Sequence, residues 1–210
     1  MIADIFNNVD VIFWDFDGVI KDSVNIKSDA FEQLFFPFGN EIVKKVRKHH
    51  ESSGMPRYDK FPIYLKWADQ EISDKLIEDY CQRFSKLVKQ KVIESAWTPG
   101  VYDCLANYHD KIIFFLITNT PQSEIEEILS ELDINLFFKE IFGSPMKKTD
   151  AIKTLLSKYS VEPYNSLMIG DTNSDYLAAD NNNVPFILRR TKENKILQKQ
   201  LKCTMIDNFS

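Results

Sequence analysis

Two carboxylates one residue apart, Asp15 and Asp17, close the apolar run Val11-Ile12-Phe13-Trp14 and stand just before Gly18. Acids that close repel each other, so their coexistence calls for a cation, a proton or a functional reason. The competing explanation is a strand-end turn that uses Asp and Gly for backbone reasons. The rest of the chain decides between them. A second pair of acids, Asp171 and Asp175, follows the apolar run Ser166-Leu167-Met168-Ile169 and Gly170. A hydroxyl-bearing segment, Thr118-Asn119-Thr120, follows a third run, Ile112–Ile117, and two adjacent lysines, Lys147 and Lys148, precede an amphipathic stretch.

These groups need elements to position them. Val11–Trp14 has the length and Val/Ile/Phe character of a buried parallel strand, and open α/β sheets collect binding and catalytic groups at the carboxyl ends of such strands. From about residue 110 the pattern alternates. A strand is expected at 112–117, with Thr120 as N-cap and Pro121 in the first helical position of a helix carrying Ile125, Ile128, Leu129 and Leu132. A short strand at 140–142, a helix with Ile152, Leu155, Leu156 and Tyr159, a strand at 166–169, a helix around 176–179 and a strand at 184–188 follow. Such alternation predicts a parallel sheet covered on both faces. Residues 23–97 differ: Phe31, Leu34, Phe35 and Phe38 make one helical stripe, and Ile72, Leu76, Ile77, Tyr80, Cys81, Phe84, Leu87 and Val88 a longer one. Both stripes are expected to pack a core. The reading is therefore an α/β domain of residues 1–22 and 98–210 interrupted by a helical domain at 23–97.

Composition narrows the function classes. The 210 residues, 44% of them hydrophobic, are enough for a full core plus a small insert. A formal net charge of -5 argues against a nucleic-acid partner, which needs clustered positive surface. Cys81, Cys104 and Cys203 are scattered and odd in number, which suits a reducing compartment rather than a disulfide framework. No apolar run reaches membrane-spanning length, and Met1–Ile5 lacks the basic-then-apolar pattern of an export signal. The expectation is a cytoplasmic protein with no membrane partner. His49-His50 suggests a metal, but adjacent helical residues point about 100° apart and no third ligand is evident, so both are expected at the surface.

Taken in order, Asp15-x-Asp17, Thr118, the lysine pair and Gly170-Asp171-x-x-x-Asp175 resemble the four motifs of the haloacid dehalogenase superfamily of phosphotransferases, over roughly residues 9–22 and 98–190. The resemblance implies a Rossmann-like parallel sheet with an inserted helical cap. It implies that Asp15 attacks phosphorus to form an aspartyl-phosphate, and that Asp17 protonates the leaving oxygen and then activates water. Four acids plus about two charges on the substrate phosphate exceed what one lysine can balance. Mg²⁺ held by Asp15, Asp171 and the Asp17 carbonyl, with Asp175 supporting it directly or through water, is the implied cofactor. Thr118 and the amides of Asn119 and Thr120 would cradle the phosphate. Lys148 is favoured over Lys147 as the phosphate lysine, because Ile152 four residues on matches the family's spacing.

Within the insert, Gly54-Met55-Pro56-Arg57-Tyr58-Asp59 resembles the cap loop of the β-phosphoglucomutase-like branch, with Pro56 where Ser is usual. The resemblance places Arg57 on the substrate's second anionic group and Lys27 at a cap-base position facing the site. The expected function is a Mg²⁺-dependent phosphatase of a small phosphorylated metabolite, a phosphosugar or phospho-hydroxy acid. A phosphosugar mutase is the alternative, although Gly170-Asp171-x-x-x-Asp175 resembles the phosphoglycolate-phosphatase-like members more than the Glu-Asp pair of mutases. A dehalogenase would not need Asp17 or the Asp171/Asp175 pair. A non-catalytic binding protein on the same scaffold should have lost a nucleophile or metal ligand, and none is missing.

Overall fold

The computed structural model describes Phe6 and residues 9–210; Met1–Ile5, read above for an export signal, lie outside the described residues. Six parallel strands form one sheet: β1 (Val11–Trp14), β2 (Ile113–Pro121), β3 (Glu140–Ser144), β4 (Ser166–Gly170), β5 (Phe186–Arg189) and β6 (Thr204–Ile206), in the order β3-β2-β1-β4-β5-β6. β1 is fully buried between β2 and β4, as its unbroken apolar run requires. Register does the positioning. Trp14 pairs with Leu116 on one side and Ile169 on the other, and the Asp15 amide still donates to the Ile169 carbonyl at 3.0 Å. Asp15 follows Trp14 at once, and Thr118 and Asp171 stand two residues beyond Leu116 and Ile169, so three strands deliver polar groups to one edge.

Four helices form the segment inserted after β1: α1 (Val24–Phe35), α2 (Asn40–Ser52), α3 (Arg57–Trp67) and α4 (Asp74–Glu94). They pack through aromatic rings, with Phe31 and Phe84 centroids 4.3 Å apart and Phe31 and Phe61 5.4 Å apart. The two chain crossings into this segment are tied together: the Asp22 amide donates to Ala96, the Thr98 amide to Ile20, and buried Lys21 donates to the Ile93 carbonyl at 3.0 Å beneath the Trp97 ring. Five further helices lie among the described residues after the insert: α5 (Val101–Tyr108), α6 (Gln122–Glu131), α7 (Lys148–Tyr159), α8 (Asn173–Asp180) and α9 (Lys195–Gln200). Ala151, Ile152 and Leu155 of α7 pack one sheet face with Ala178 and Ala179 of α8; α5 and α6 bury Leu105, Ile125, Ile128 and Leu129 against the other.

Several local expectations are corrected. β2 runs through Thr120 to Pro121, so Pro121 rather than Thr120 occupies the N-cap of α6. Ile72 is exposed ahead of α4, whose start is fixed by the Ser73 side chain accepting from the Leu76 amide. The helices at 40–52, 57–67, 101–108 and 195–200 and the strand at 204–206 were not predicted. Of these, α2 has one buried residue and α9 none, and β6 is three residues at the sheet edge, so little periodicity marked them.

Candidate active site

Lys148 is the centre of charge at the strand ends. It opens α7 as the first helical residue, and its buried ammonium lies 2.7 Å from Asp15 Oδ1 and 2.5 Å from Asp175 Oδ1. Lys147, the N-cap, is exposed. The contact with Asp15 is an ion pair by distance but lacks hydrogen-bond alignment, which leaves Asp15 Oδ1 without a hydrogen-bond donor. Asp171 Oδ1 is likewise buried without a partner. Burial, then the charge of Asp175, pushes the Asp15 carboxyl up to about 7 against the pull of Lys148; burial and Asp15 raise Asp171 well above the carboxylate range. Burial would discharge Lys148, but Asp15 and Asp175 outweigh it and hold the ammonium charged.

Carboxylate oxygens of Asp15, Asp171 and Asp175 lie within 4.8 Å of one another. Asp175, however, is the third residue of α8 and its carboxylate is already occupied. Oδ1 takes Lys148, and Oδ2 accepts from the Thr172 amide at 2.9 Å and the Thr172 hydroxyl at 2.6 Å in a capping box. Asp171 lies in the loop ahead of the helix rather than one helical turn before Asp175 on it, and Asp175 belongs to the acidic cluster while also holding the loop and the lysine. The atoms best placed for a cation are the unpartnered Asp171 Oδ1 and the Asp15 carboxylate, whose Oδ1 meets only the Lys148 ammonium. An all-oxygen, doubly anionic donor set with unpartnered lone pairs fits Mg²⁺. Gly18, with φ +75°, is where a side chain would strike Asp171 Oδ2, at 2.2 Å, so the first loop can close over the second only with glycine there.

Asp17 faces the insert. Its carboxylate accepts from Ser23 at 2.6 Å, from Thr120 Oγ1 at 3.1 Å, and from Lys27 of α1, which also donates to Thr120 at 2.9 Å. Burial pushes Asp17 up, yet Lys27, Ser23 and Thr120 together hold it below the ordinary carboxylate value. This arrangement favours the Asp17 carboxylate over the protonated acid. Thr118 is buried, and its hydroxyl accepts from the Thr120 amide at 3.2 Å, so that amide turns inward rather than toward an anion. Asn119 donates from Nδ2 to the Gly54 carbonyl at 2.6 Å, which joins the sheet edge to the insert loop. That loop sits so close that a Cβ on Gly54 would lie 2.3 Å from Ser174.

Arg57 departs from its expected place. It is 5% exposed, and its guanidinium grips the Glu124 carboxylate of α6 with both terminal nitrogens, at 2.8 and 2.5 Å, while donating to Ser85 at 2.6 Å. Burial raises Glu124, but Arg57 and Ser85 pull it below its usual value. Arg57 borders the cavity as a neutralised pair and not as a free cation. The histidines are corrected too: His49 Nδ1 lies 3.0 Å from the Tyr64 hydroxyl, and His50 Nδ1 lies 2.8 Å from the ammonium of buried Lys60. Neither Glu124 nor Lys60 was identified from the sequence. Nor was Asn194, whose side-chain amide donates to the Asp171 carbonyl at 2.8 Å and the Arg189 carbonyl at 2.9 Å.

All of this surrounds a cavity of about 530 Å³, with Asp15, Asp17, Thr118, Asn119, Lys148 and Asp171 on the sheet side and Lys27, His50 and Arg57 on the insert side. A parallel sheet with acids and a lysine at its carboxyl edge, faced across the cavity by an inserted helical segment, is an α/β architecture with a charged site at its strand ends. The family described as haloacid dehalogenase-like hydrolase matches residues 11–189, and the chain belongs to it. The chain is 27% identical over 177 residues to a phosphoglycolate phosphatase of Pseudomonas fluorescens, covering 80% of this chain but only 65% of that enzyme. It is 26% identical over 185 residues to a phosphorylated carbohydrates phosphatase of Thermotoga maritima, covering 81% and 80% of the two chains. The β-phosphoglucomutase structure from Clostridium difficile superposes with a TM-score of 0.76 at 18% identity, over 96% of this chain and 92% of that one, which is a likeness of fold. Among the described residues no helix is long and apolar enough to cross a membrane.

Proposed function

We propose that the protein is a Mg²⁺-dependent phosphatase of a small phosphorylated metabolite, working through an aspartyl-phosphate, with residues 23–97 acting as its cap domain. The observation that carries the reading is the buried acid pair Asp15 and Asp171 beside a charged Lys148, with Asp171 Oδ1 unpartnered and Asp15 Oδ1 held only by the ammonium. Such a site is electrostatically incomplete until a cation and a phosphoryl group enter it. The names of the relatives, phosphoglycolate phosphatase and phosphorylated carbohydrates phosphatase, support the same class of substrate.

Asp15 is the nucleophile: its oxygen forms the bond to phosphorus as the bond to the leaving oxygen breaks. Lys148 neutralises part of the phosphoryl charge and keeps Asp15 aimed. Thr118 and Asn119 border the phosphoryl group from β2. Asp17 gives a proton to the leaving oxygen in the first half-step. In the second it takes one from water, whose oxygen attacks phosphorus and frees Asp15. The arrangement in which Lys27 and Thr120 hold Asp17 as a carboxylate suits the second half-step. The first requires Asp17 to leave Lys27 and gain a proton beside the phosphate charge. Asp15 and Asp171 would hold Mg²⁺, which supplies neutralisation of the phosphoryl oxygens.

Asp17→Asn tests the scheme. p-Nitrophenolate leaves without a proton, so this variant should release p-nitrophenol in a burst and retain a phosphoryl group, detectable by mass spectrometry on the peptide containing Asp15. An unmodified Asp15 at every time point, with steady turnover, would sink the covalent route. Release of inorganic phosphate, rather than transfer to a second hydroxyl of a sugar phosphate, separates this reading from the mutase.

A further inference from the structure

Lys60 is 4% exposed, and among the described residues no carboxylate lies within ion-pair distance of it. Of the other insert cations at the cavity, Arg57 is neutralised by Glu124 and Lys27 by Asp17, while Lys48, unpaired among the described residues, is exposed to solvent and needs no counter-ion. Lys60 instead donates to His50 Nδ1 at 2.8 Å and lies against the Phe31 ring, 5.7 Å from its centroid. With the Lys60 ammonium as the donor, the imidazole carries its proton on Nε2. His50 Nε2 is sealed from solvent and has no partner, while the residue itself forms part of the cavity wall. A buried donor without an acceptor and a buried cation without a counter-ion are each costly, and here they are coupled through one ring.

We propose that His50 and Lys60 form the subsite for a carboxylate on the substrate, remote from the phosphate, with His50 Nε2–H, buried in this structure, turned to the ligand by a shift of the ring in the cavity wall, and Lys60 as a positioning residue behind it. This rests on the phosphatase reading for where the phosphate lies, and it names the substrate class: a phosphorylated hydroxy acid or sugar acid. The cavity of about 530 Å³ has room for more than a phosphate group. Burial, and then repulsion from Lys27 and Arg57, lowers Lys60 to about 7, with Asp17 pulling the other way. A carboxylate at His50 would supply the negative charge this group lacks. Burial and the Lys60 charge keep His50 well below its ordinary value, so the ring acts as a neutral donor.

The test uses substrate pairs that differ only in a terminal carboxylate or hydroxymethyl group: 6-phosphogluconate against sorbitol 6-phosphate, and 3-phosphoglycerate against glycerol 3-phosphate. The wild-type enzyme with Mg²⁺ should favour the acid in at least one pair, on the order of 10-fold to 100-fold in kcat/KM, as a charge-assisted hydrogen bond does. Lys60→Met and His50→Gln should each erase that preference mainly through the KM of the acid. Lys60→Met should also keep or raise Tm, because a cation lacking a counter-ion has been removed. A wild-type enzyme indifferent to the carboxylate in both pairs, or variants that lose acid and alcohol equally, overturns the subsite. If the wild-type enzyme hydrolyses none of these esters nor p-nitrophenyl phosphate, the phosphatase reading fails. The subsite then stands or falls by calorimetry: 6-phosphogluconate must bind more tightly than sorbitol 6-phosphate, and only when Lys60 is present.

Discussion

The two walls of the cavity are built on different principles. On the sheet side, Asp15, Lys148, Asp175 and Thr172 bind one another in a closed set, and the strands fix their heights by register. On the insert side, polar groups stand on helices and reach outward to a partner on the other wall: Lys27 to Asp17, Arg57 to Glu124, the Gly54 carbonyl to Asn119. The sheet wall is pre-organised for charge and holds an excess of acid; the insert wall depends on contact with the sheet wall for its own arrangement. The lesson is a division of labour, in which chemistry sits where the backbone is rigid and recognition where a segment can shift.

The division is tested first at the nucleophile. Asp15→Asn keeps the shape but not the nucleophilicity, and turnover of p-nitrophenyl phosphate with Mg²⁺ should fall on the order of 10⁴-fold with an unchanged circular-dichroism spectrum. Near-normal turnover would remove the sheet wall's claim to the chemistry. Lys148→Ala should come next, at about 10³-fold, while Lys147→Ala stays within about twofold, because only the former ammonium is buried against Asp15. Equal losses would mean that neither lysine acts at the phosphate.

Stability sharpens the comparison on both walls. Because Asp15 and Asp171 are raised in the folded chain, the unfolded chain binds fewer protons between about pH 4 and 7. Their contribution is therefore present at low pH and lost as pH rises through about 7, Asp15's folded value. In EDTA, Tm should fall across this window by an amount worth a few kcal/mol. Millimolar Mg²⁺ should largely cancel the fall, and a flat profile in EDTA would show that the acids need no cation. On the insert wall, Arg57→Ala leaves Glu124 buried and unpaired, which should cost about 3 kcal/mol in urea unfolding. Arg57→Ala combined with Glu124→Ala should cost less than the sum of the two; additivity would mean the bridge between the walls carries no coupling.

What could be read from the sequence follows from what periodicity encodes. Apolar runs ending in Asp15, Thr118 and Asp171 located three central strands and the edge they share, since a buried parallel strand must be continuously apolar. The two aromatic stripes of the insert located α1 and most of α4 for the same reason. Of the elements missed, α2, α9 and β6 bury little or lie at an edge, so burial left no pattern in them; α3 buries two charged residues among its apolar ones and carries Pro62 within it, and α5 is only eight residues long.

Side-chain partnership was decided elsewhere. The sequence by itself determined the set of acids, the presence of a lysine near them, and the α/β core with its helical insert. Only the tertiary structure decided which of two adjacent lysines meets Asp15, because that depends on the angle at which α7 leaves the loop. Only packing joined Arg57 to Glu124, 67 residues away, which withdrew it as a free anion-binding group. The same packing left Lys60 with a histidine in place of an acid. Local spacing fixes which face of an element a residue occupies. What stands across from that face is set by how elements from distant parts of the chain meet, and the charge state of a buried group follows from that meeting.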